Sequence, residues 1–288
     1  MKKTLKALSI IIAAFVITFV TMIPNPVSVF AEPSNIEADS AILVDGNTGK
    51  ILYEKNADVA LPPASMTKMM TEYLVLEAIS EGKISWDTTT QISDYAYWLS
   101  ANPNFSGIGL IQSKDYSVEQ LYIGMAVNSD NATTVALAEL IAGSEGEFVK
   151  MMNEKAKELG LPDATFVNST GLVNTDLGEF YPEGTDPNGD NYISARSLAL
   201  LAYHLVNDYP DSLKYSSMSG GELDGRSFPN RNWMLPELEY EDIAYEGMDG
   251  LKTGYTDQAQ YFFTGTAERN GQRLITVVMG VEPEYNDA

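Results

Sequence analysis

Two pairs of residues in this sequence have the Ser-x-x-Lys spacing at which a lysine can activate a serine. The first is Ser65 with Lys68, in PPASMTKMM, and the second is Ser80 with Lys83. At the start of a helix, residues three apart share a face, and the free N–H groups favour an oxyanion and disfavour a charged lysine. Ser65 begins an apolar-periodic segment, whereas Ser80 ends it. Ser65 is therefore the predicted nucleophile, although alone it also fits an ordinary helix N-cap.

Histidine is the usual base for a catalytic serine, and the chain contains a single one, His204. It lies in SLALLAYHLVNDY, where apolar residues recur at helical spacing and predict an amphipathic core helix. A Ser-His-Asp relay would depend on this one residue. The composition therefore favours Lys68 as the base.

Two further motifs follow in the chain. Ser-Asp-Asn, at residues 129–131, lies between two predicted helices, where a loop can carry a hydroxyl and an amide into a cleft. Lys-Thr-Gly, at residues 252–254, opens a strand-like segment, and its glycine permits a substrate backbone to approach. Taken singly, the first motif also fits a helix N-cap and the second an edge strand protected by a lysine.

In this order, the three motifs form the set found in penicillin-binding proteins and serine β-lactamases. Residues from about 39 to 280 resemble the catalytic domain of the low-molecular-mass D-alanyl-D-alanine carboxypeptidases. The similar segments include LVDGNTGKILYEKNAD, PASMTKMMT and DGLKTGYTDQAQYFFTGTAERNGQRLITVVMG. The resemblance implies an exported serine peptidase that removes the terminal D-Ala from peptidoglycan stem pentapeptides and is inhibited by penicillin and other β-lactam antibiotics.

The resemblance implies three catalytic residues. Ser65 would attack the carbonyl between the two D-alanines and form an acyl-enzyme that water hydrolyses. Neutral Lys68 would take the serine proton, and nearby Lys252 would help to lower the pKa of Lys68. Ser129, near Lys252, would pass a proton to the leaving amine.

The resemblance also implies the residues that bind substrate. Asn131 would hold the peptide amide, and Thr253 would bind the terminal carboxylate on the strand that carries Lys252 and Gly254. The backbone N–H groups of Ser65 and Tyr255 would form the oxyanion hole. Some relatives have histidine where this chain has Tyr255, which changes only the expected shape of the cleft.

Two alternatives share some of these features. A class A β-lactamase uses a glutamate within a Glu-x-x-Leu-Asn pattern for deacylation, and the loop expected at 160–192 contains Glu179 and Glu183 without that pattern. A non-catalytic penicillin-sensing or wall-binding module needs no lysine base. The motifs favour the carboxypeptidase over both.

The predicted fold is α/β, of the β-lactamase/DD-peptidase type, with a mainly antiparallel sheet built from both chain ends and a helical subdomain between them. A hairpin is expected around Asp45 and Gly49, and another at Asn270-Gly271. The helices are expected near residues 65–79, 117–127, 131–142, 145–159 and 194–208.

Composition excludes several other functions. The chain contains no cysteine and one histidine, so disulfides, thiolate zinc sites and histidine-rich metal sites are excluded, and no cofactor is predicted. The segment DPNGDN, at residues 186–191, is expected to be a plain turn rather than a calcium loop. A net charge of −22 repels phosphate backbones and anionic lipid, which argues against nucleic-acid or polybasic membrane binding.

The predicted domains are a signal peptide at residues 1–31 and a catalytic domain at residues 32–288. The chain ends at VEPEYNDA, before the final helix, second domain and amphipathic anchor of the resembled family. The expectation is a C-terminally truncated catalytic domain, attached to a membrane only through the missing C-terminal region if at all. It would act outside the cytoplasm, in the cell wall or at the outer face of the cytoplasmic membrane.

The signal peptide generates the first testable prediction. Basic residues at the start, an apolar run over 7–23, and small Val29 and Ala31 predict cleavage after Ala31. N-terminal sequencing of the exported protein should therefore begin at Glu32. An intact Met1 would instead identify an uncleaved membrane anchor.

Overall fold

A five-stranded antiparallel sheet with helices packed on it forms the part of the chain that the computed structural model describes, residues 36–238, 240, 242–256 and 260–281. The predicted signal peptide lies outside these residues. The strands of this sheet are β1 (Ser40–Asp45), β2 (Ile51–Lys55), β9 (Met248–Thr256), β10 (Gln260–Arg269) and β11 (Gln272–Val281). The short strands that form pairs elsewhere are β3 (Ala60–Leu61), β4 (Thr89–Thr90), β5 (Tyr116–Ser117), β6 (Ile193–Ser194), β7 (Gly220–Leu223) and β8 (Arg226–Pro229).

The sheet joins the two ends of the described chain, as predicted. Its strand order is β2-β1-β11-β10-β9, and β1 pairs with β11 in a register that places Val44 opposite Ile275. β10 and β11 are connected at Asn270-Gly271, where both residues have positive φ, +53° and +77°. Such a pair is typical of the type I′ turns that suit the twist of a hairpin. The Lys-Thr-Gly motif therefore lies on an edge strand, β9, with β10 as its neighbour.

Eight α-helices lie between the two halves of the sheet in the described residues. They are α1 (Lys68–Ser80), α2 (Asp94–Ala101), α3 (Val118–Asn128), α4 (Asn131–Ala142), α5 (Glu145–Glu158), α6 (Asn174–Leu177), α7 (Ala195–Asp208) and α8 (Ser212–Ser216). The helices predicted near 117–127, 131–142, 145–159 and 194–208 are confirmed as α3, α4, α5 and α7. The described residues include no helix whose length and hydropathy would let it cross a membrane.

Local capping explains several of these helix boundaries. Ser117 and Gln120 form a capping box at the start of α3, in which each side chain accepts from the other's backbone N–H. Ser194 caps α7 by accepting from the N–H of Ser197. The sequence analysis did not predict α2, which has only eight residues. Its N-cap is Ser93, whose hydroxyl accepts from the backbone N–H of Ala96.

α1 is buried on almost all of its surface and passes through the hydrophobic core. Its methionines Met69 and Met70 have no solvent exposure, and the charged residues Lys68 and Glu72 are buried in the same helix. A helix that is apolar all round belongs in the core rather than on the surface. The fold therefore removes a lysine and a glutamate from water, which is costly unless both find partners.

The segment at 160–192, predicted to be a loop, contains the short helix α6 and a 3₁₀ turn, Gly178–Phe180. It packs directly against the chain that precedes Ser65. A Cβ placed on Gly171, whose φ is +86°, would lie 1.9 Å from the carbonyl oxygen of Ala64. Only glycine fits there, because both the backbone conformation and the space exclude a side chain.

We expect Gly171→Ala to destabilise the protein by more than about 2 kcal/mol, because it combines an unfavourable φ with a backbone clash. Denaturant unfolding measures the change. Gly184→Ala is the matched control, since Gly184 has a φ of +83° with no atom within 4 Å of the added Cβ. The control should lose only about 1 kcal/mol, and equal losses in the two variants would show that the contact with Ala64 contributes nothing.

Candidate active site

Ser65 lies in a 3₁₀ turn, Ala64–Thr67, that leads directly into α1. The predicted helix therefore begins in the 3₁₀ form, with Ala64 at a φ of +48°. The edge strand β9 lies against the same turn, since a Cβ on Gly254 would be 3.1 Å from the Pro63 carbonyl oxygen and 3.3 Å from the Cβ of Ala64. The sequence analysis expected Gly254 to let a substrate backbone approach. In the structure, the chain that approaches Gly254 is the one that precedes Ser65.

Lys68 is fully buried, and its amine has three hydrogen-bond partners. The Nζ atom lies 3.0 Å from Ser65 Oγ, 2.8 Å from Asn131 Oδ1 and 2.8 Å from the backbone carbonyl oxygen of Thr170. The serine and the lysine of the first motif therefore point at each other. The third partner of the Lys68 amine is the Thr170 carbonyl, which lies in the 160–192 segment and was not predicted.

The chemistry of these three partners determines where a proton can go. The Asn131 amide oxygen and the Thr170 carbonyl oxygen can only accept hydrogen bonds, so they take two N–H groups of the amine. A neutral amine has only two N–H groups, and its lone pair then faces Ser65 Oγ. In that state Lys68 accepts from the serine hydroxyl, which is the geometry that a general base requires.

Burial supplies the neutral state of the amine. It lowers the pKa of Lys68 well below its ordinary value of 10.5, and the positive charge of Lys252 lowers the pKa further. The negative charges of Asp130, Glu145 and Glu72 act in the opposite direction. Because desolvation is the largest of these effects, the net result favours the uncharged amine.

The Ser-Asp-Asn motif lies at the junction of α3 and α4. Asp130 is the N-cap of α4, where its carboxylate accepts from the N–H groups of Thr133 at 2.7 Å and Ile108 at 2.6 Å. Ser129 has a left-handed φ of +63°, and its buried Oγ has no hydrogen-bond partner among the described residues. The capping role thus belongs to Asp130, and the Ser129 hydroxyl remains available to a bound molecule.

Asn131 connects the second motif to the first. Its Oδ1 accepts from Lys68 at 2.8 Å, and its Nδ2 donates to the backbone carbonyl of Ser106 at 3.3 Å. The backbone N–H of Asn131 also donates to Ser106, at 3.1 Å. These contacts orient the amide so that its oxygen faces the lysine, in addition to the role predicted for it in binding a substrate amide.

The third motif lies along β9. Lys252 is 2% exposed, and its Nζ donates to the Thr253 carbonyl oxygen at 3.3 Å. Thr253 is half-buried, and Tyr255 is exposed with its ring 4.8 Å from that of Tyr261. A lysine that protects an edge strand would point into solvent, so the burial of Lys252 argues against that interpretation.

Glu72 is a buried carboxyl between the two lysines, one helical turn after Lys68. The Tyr122 hydroxyl donates to its Oε2 at 3.3 Å. Burial raises the pKa of Glu72 to about 7, against the attraction of Lys252 and Lys68. The pKa of Lys252 is lowered to about 8 by burial, while Glu72 acts to raise it. When it is ionised, Glu72 therefore stabilises the protonated form of Lys252.

The sequence analysis missed four residues that act on this site. A charge within the apolar run MMTEYLVL was the available signal for Glu72. Glu145 resembled an ordinary acidic residue at a helix start. Thr170 contributes only a backbone carbonyl, which leaves no sequence signal. Arg231 lies near enough to Lys252 to lower the pKa of that lysine. The backbone N–H of Arg231 donates to the carbonyl of Val127, two residues before the Ser-Asp-Asn motif.

The residues that the sequence analysis set aside lie elsewhere. His204 is half-buried on α7, with its Nδ1 3.4 Å from Asp208 Oδ2, and Ser80 is the exposed last residue of α1. Asp186 accepts from the N–H groups of Asn188 and Gly189, which makes the 186–191 segment a turn. No cluster of three or more acidic, histidine or cysteine side chains suited to a metal occurs in the described residues.

The sequence model of the D-alanyl-D-alanine carboxypeptidase family of peptidases matches residues 27–283. The chain belongs to this family. The Bacillus subtilis D-alanyl-D-alanine carboxypeptidase DacF is 39% identical over 244 residues, which are 85% of this chain and 57% of that protein. The chain thus spans little more than half the length of this curated relative.

Solved structures have the same fold. The peptidoglycan synthesis regulatory factor PBP3 of Streptococcus pneumoniae superposes with a TM-score of 0.83 at 42% identity, covering 88% of this chain and 69% of that one. Penicillin-binding protein D2 of Listeria monocytogenes, in its cefotaxime-bound form, gives 0.74 at 31% identity, covering 88% of this chain and 93% of that one. These matches confirm the predicted α/β fold of the DD-peptidase type.

We expect Glu72→Gln to move the alkaline limb of the pH profile of acylation by penicillin to lower pH by about one unit. Removing the carboxylate removes the attraction that raises the pKa of Lys252, so Lys252 loses its charge at lower pH. The position of this limb is measured from the rate of labelling by a fluorescent penicillin at a series of alkaline pH values. Glu81→Gln, at the exposed end of α1, is the control, and identical limbs in all three proteins would contradict the role of Glu72.

Proposed function

We propose that this protein is a serine D-alanyl-D-alanine carboxypeptidase that removes the terminal D-Ala from peptidoglycan stem pentapeptides through an acyl-enzyme on Ser65. Family membership supports the reaction class. The observation that carries the proposal is the amine of buried Lys68 at 3.0 Å from Ser65 Oγ, with its other contacts made to two oxygen acceptors.

The first step is the attack of Ser65. Lys68 takes the hydroxyl proton as Ser65 Oγ bonds to the carbonyl carbon between the two D-alanines. The backbone N–H groups of Ser65 and Tyr255 would receive the negative charge on the carbonyl oxygen, an effect worth about 3 to 4 kcal/mol per donor in comparable sites. The tetrahedral intermediate then collapses to the acyl-enzyme and expels D-Ala.

The leaving amine needs a proton when the C–N bond breaks. Ser129 is assigned to deliver it, because its buried hydroxyl has no hydrogen-bond partner in the part of the chain that the structure describes. Lys68 would then give Ser129 the proton that it took from Ser65, which restores the Ser129 hydroxyl. Water then attacks the ester, with Lys68 as the base, and releases the shortened peptide.

Binding of the substrate is assigned to the third motif and Asn131. Thr253 would bind the terminal carboxylate of the peptide, beside the positive charge of Lys252. Gly254 keeps this strand close to the serine, as its contact with Pro63 indicates. Asn131 would hold the peptide amide through its side chain while also accepting from Lys68.

The same assignment covers location and partners. We assign residues 1–31 as an export signal and residues 32–288 as the catalytic domain, acting on peptidoglycan outside the cytoplasm. β-Lactam antibiotics would acylate Ser65 in place of the peptide, as the cefotaxime-bound form of the Listeria relative suggests for its own site. No cofactor has a part in this mechanism.

Mass spectrometry after incubation with penicillin tests the nucleophile. We expect one penicilloyl adduct, on Ser65, and release of D-Ala from a D-Ala-D-Ala pentapeptide by the unmodified protein. Ser65→Ala should lose both. Lys68→Arg should lower acylation by about 1,000-fold or more, because arginine stays protonated and cannot accept the serine proton.

Three results would count against the proposal. Near-normal labelling of Lys68→Arg would remove the lysine from the role of base. Sustained turnover of nitrocefin would identify a β-lactamase instead. Penicillin binding with no release of D-Ala, unchanged in Ser65→Ala, would indicate a non-catalytic module.

A further inference from the structure

Glu145, the first residue of α5, is a buried carboxyl with no part in the reaction described above. It is 4% exposed, and its Oε1 accepts from both the N–H and the hydroxyl of Ser169, at 2.8 Å and 2.5 Å. Its Oε2 is buried and has no hydrogen-bond partner among the described residues. A buried carboxyl oxygen that lacks a hydrogen-bond donor costs stability.

The loop that Glu145 binds, residues 168–171, is the one that contacts the base. The carbonyl of Thr170 accepts from Lys68 Nζ at 2.8 Å, and the carbonyl of Ser169 accepts from Thr71 Oγ1 at 2.8 Å. Gly171 packs on the carbonyl of Ala64, immediately before the nucleophile. One side of the loop therefore contacts α1 and the serine turn, and Glu145 holds the opposite side.

Other contacts also hold this loop. Asn191 Nδ2 donates to the Asn168 carbonyl at 3.2 Å and to Thr67 Oγ1 at 3.0 Å, which ties the loop to the serine turn. Asn168 Oδ1 accepts from the N–H groups of Thr170 at 3.1 Å and Gly171 at 2.7 Å, which closes the loop on itself. Glu145 belongs to a separate helix and makes two bonds to one residue of the loop. It is thus suited to fix where the Thr170 carbonyl stands relative to the amine.

We propose that Glu145 is a positioning residue for the acylation step: it holds the 168–171 loop so that the Thr170 carbonyl binds one N–H of Lys68 and the amine lone pair faces Ser65. The inference rests on the proposed function, since it concerns the base of that reaction. Without this anchor, the amine loses one of the two acceptors that fix its lone pair. A misdirected lone pair lowers the rate of proton transfer rather than the affinity for substrate.

The surroundings of Glu145 also make its charge relevant. It is faced by Tyr95 from α2, Glu139 from α4 and Lys68 from α1. Burial raises the pKa of Glu145, whereas the hydrogen bonds from Ser169 lower it. When ionised, Glu145 raises the pKa of Lys68. Its replacement by the uncharged amide should therefore make Lys68 neutral at a lower pH.

The test compares Glu145→Ala, Glu145→Gln and the control Glu147→Ala, which changes an exposed residue in the same helical turn. We expect Glu145→Ala to lower penicillin acylation and kcat for D-Ala release by about 30- to 100-fold, with KM changed less than about threefold. Glu145→Gln should retain wild-type rates within about threefold, because its amide oxygen still accepts from Ser169. Its acid limb should move to lower pH.

The outcomes separate this inference from the proposed function. Failure of the wild-type protein to react with penicillin would overturn both. Wild-type reactivity with an unchanged rate in folded Glu145→Ala, or equal losses in the alanine and glutamine variants, would overturn only the role of Glu145. If Glu145→Ala does not fold, Ser169→Ala decides, because it removes the 2.5 Å bond alone: a loss of about threefold to tenfold supports the inference, and an unchanged rate overturns it.

Discussion

The site depends on a buried lysine whose amine the fold points in one direction. Burial of Lys68 in the core-spanning helix α1 lowers its pKa, and the oxygens of Asn131 and Thr170 bind its N–H groups. Those oxygens come from different parts of the chain, so the direction of the lone pair is a property of the tertiary structure. The reactivity proposed for Ser65 depends on the helical subdomain and the 160–192 segment, which both contact this one nitrogen atom.

Two lysines in the same core have pKa values that their neighbours shift in different ways. Lys68 is desolvated and has the positive charge of Lys252 nearby, whereas the pKa of Lys252, about 8, is supported by Glu72. Glu72 in turn is held by the neutral hydroxyl of Tyr122. Burying this many ionisable groups costs stability. In the proposed mechanism, Lys68 is the base and Lys252 a cation. Environment would thus give one residue type two roles, as it does for paired carboxylates in other enzymes.

Much of this arrangement was predictable from the sequence, but not the features that depend on three-dimensional contact. Helix caps such as Ser117 and the hairpin at Asn270-Gly271 are local, and their residue types alone predict them. The position of Ser65 at the start of a helix follows from the apolar period after it. The Thr170 carbonyl could not be predicted, because any residue has the same backbone oxygen. Glu145 could not be distinguished from an exposed helix-start acid without knowledge of what covers it.

The pairing of β1 with β11 places the first strand of the described chain beside the last. Ser65 follows β1 closely, whereas Lys252 lies on β9, which reaches β1 only through β10 and β11. Lys252 can therefore come near Lys68 only after β9, β10 and β11 have been made, because β9 joins β1 through that hairpin. The acylation site that we propose is thus completed by strands that are synthesised long after Ser65 and Lys68.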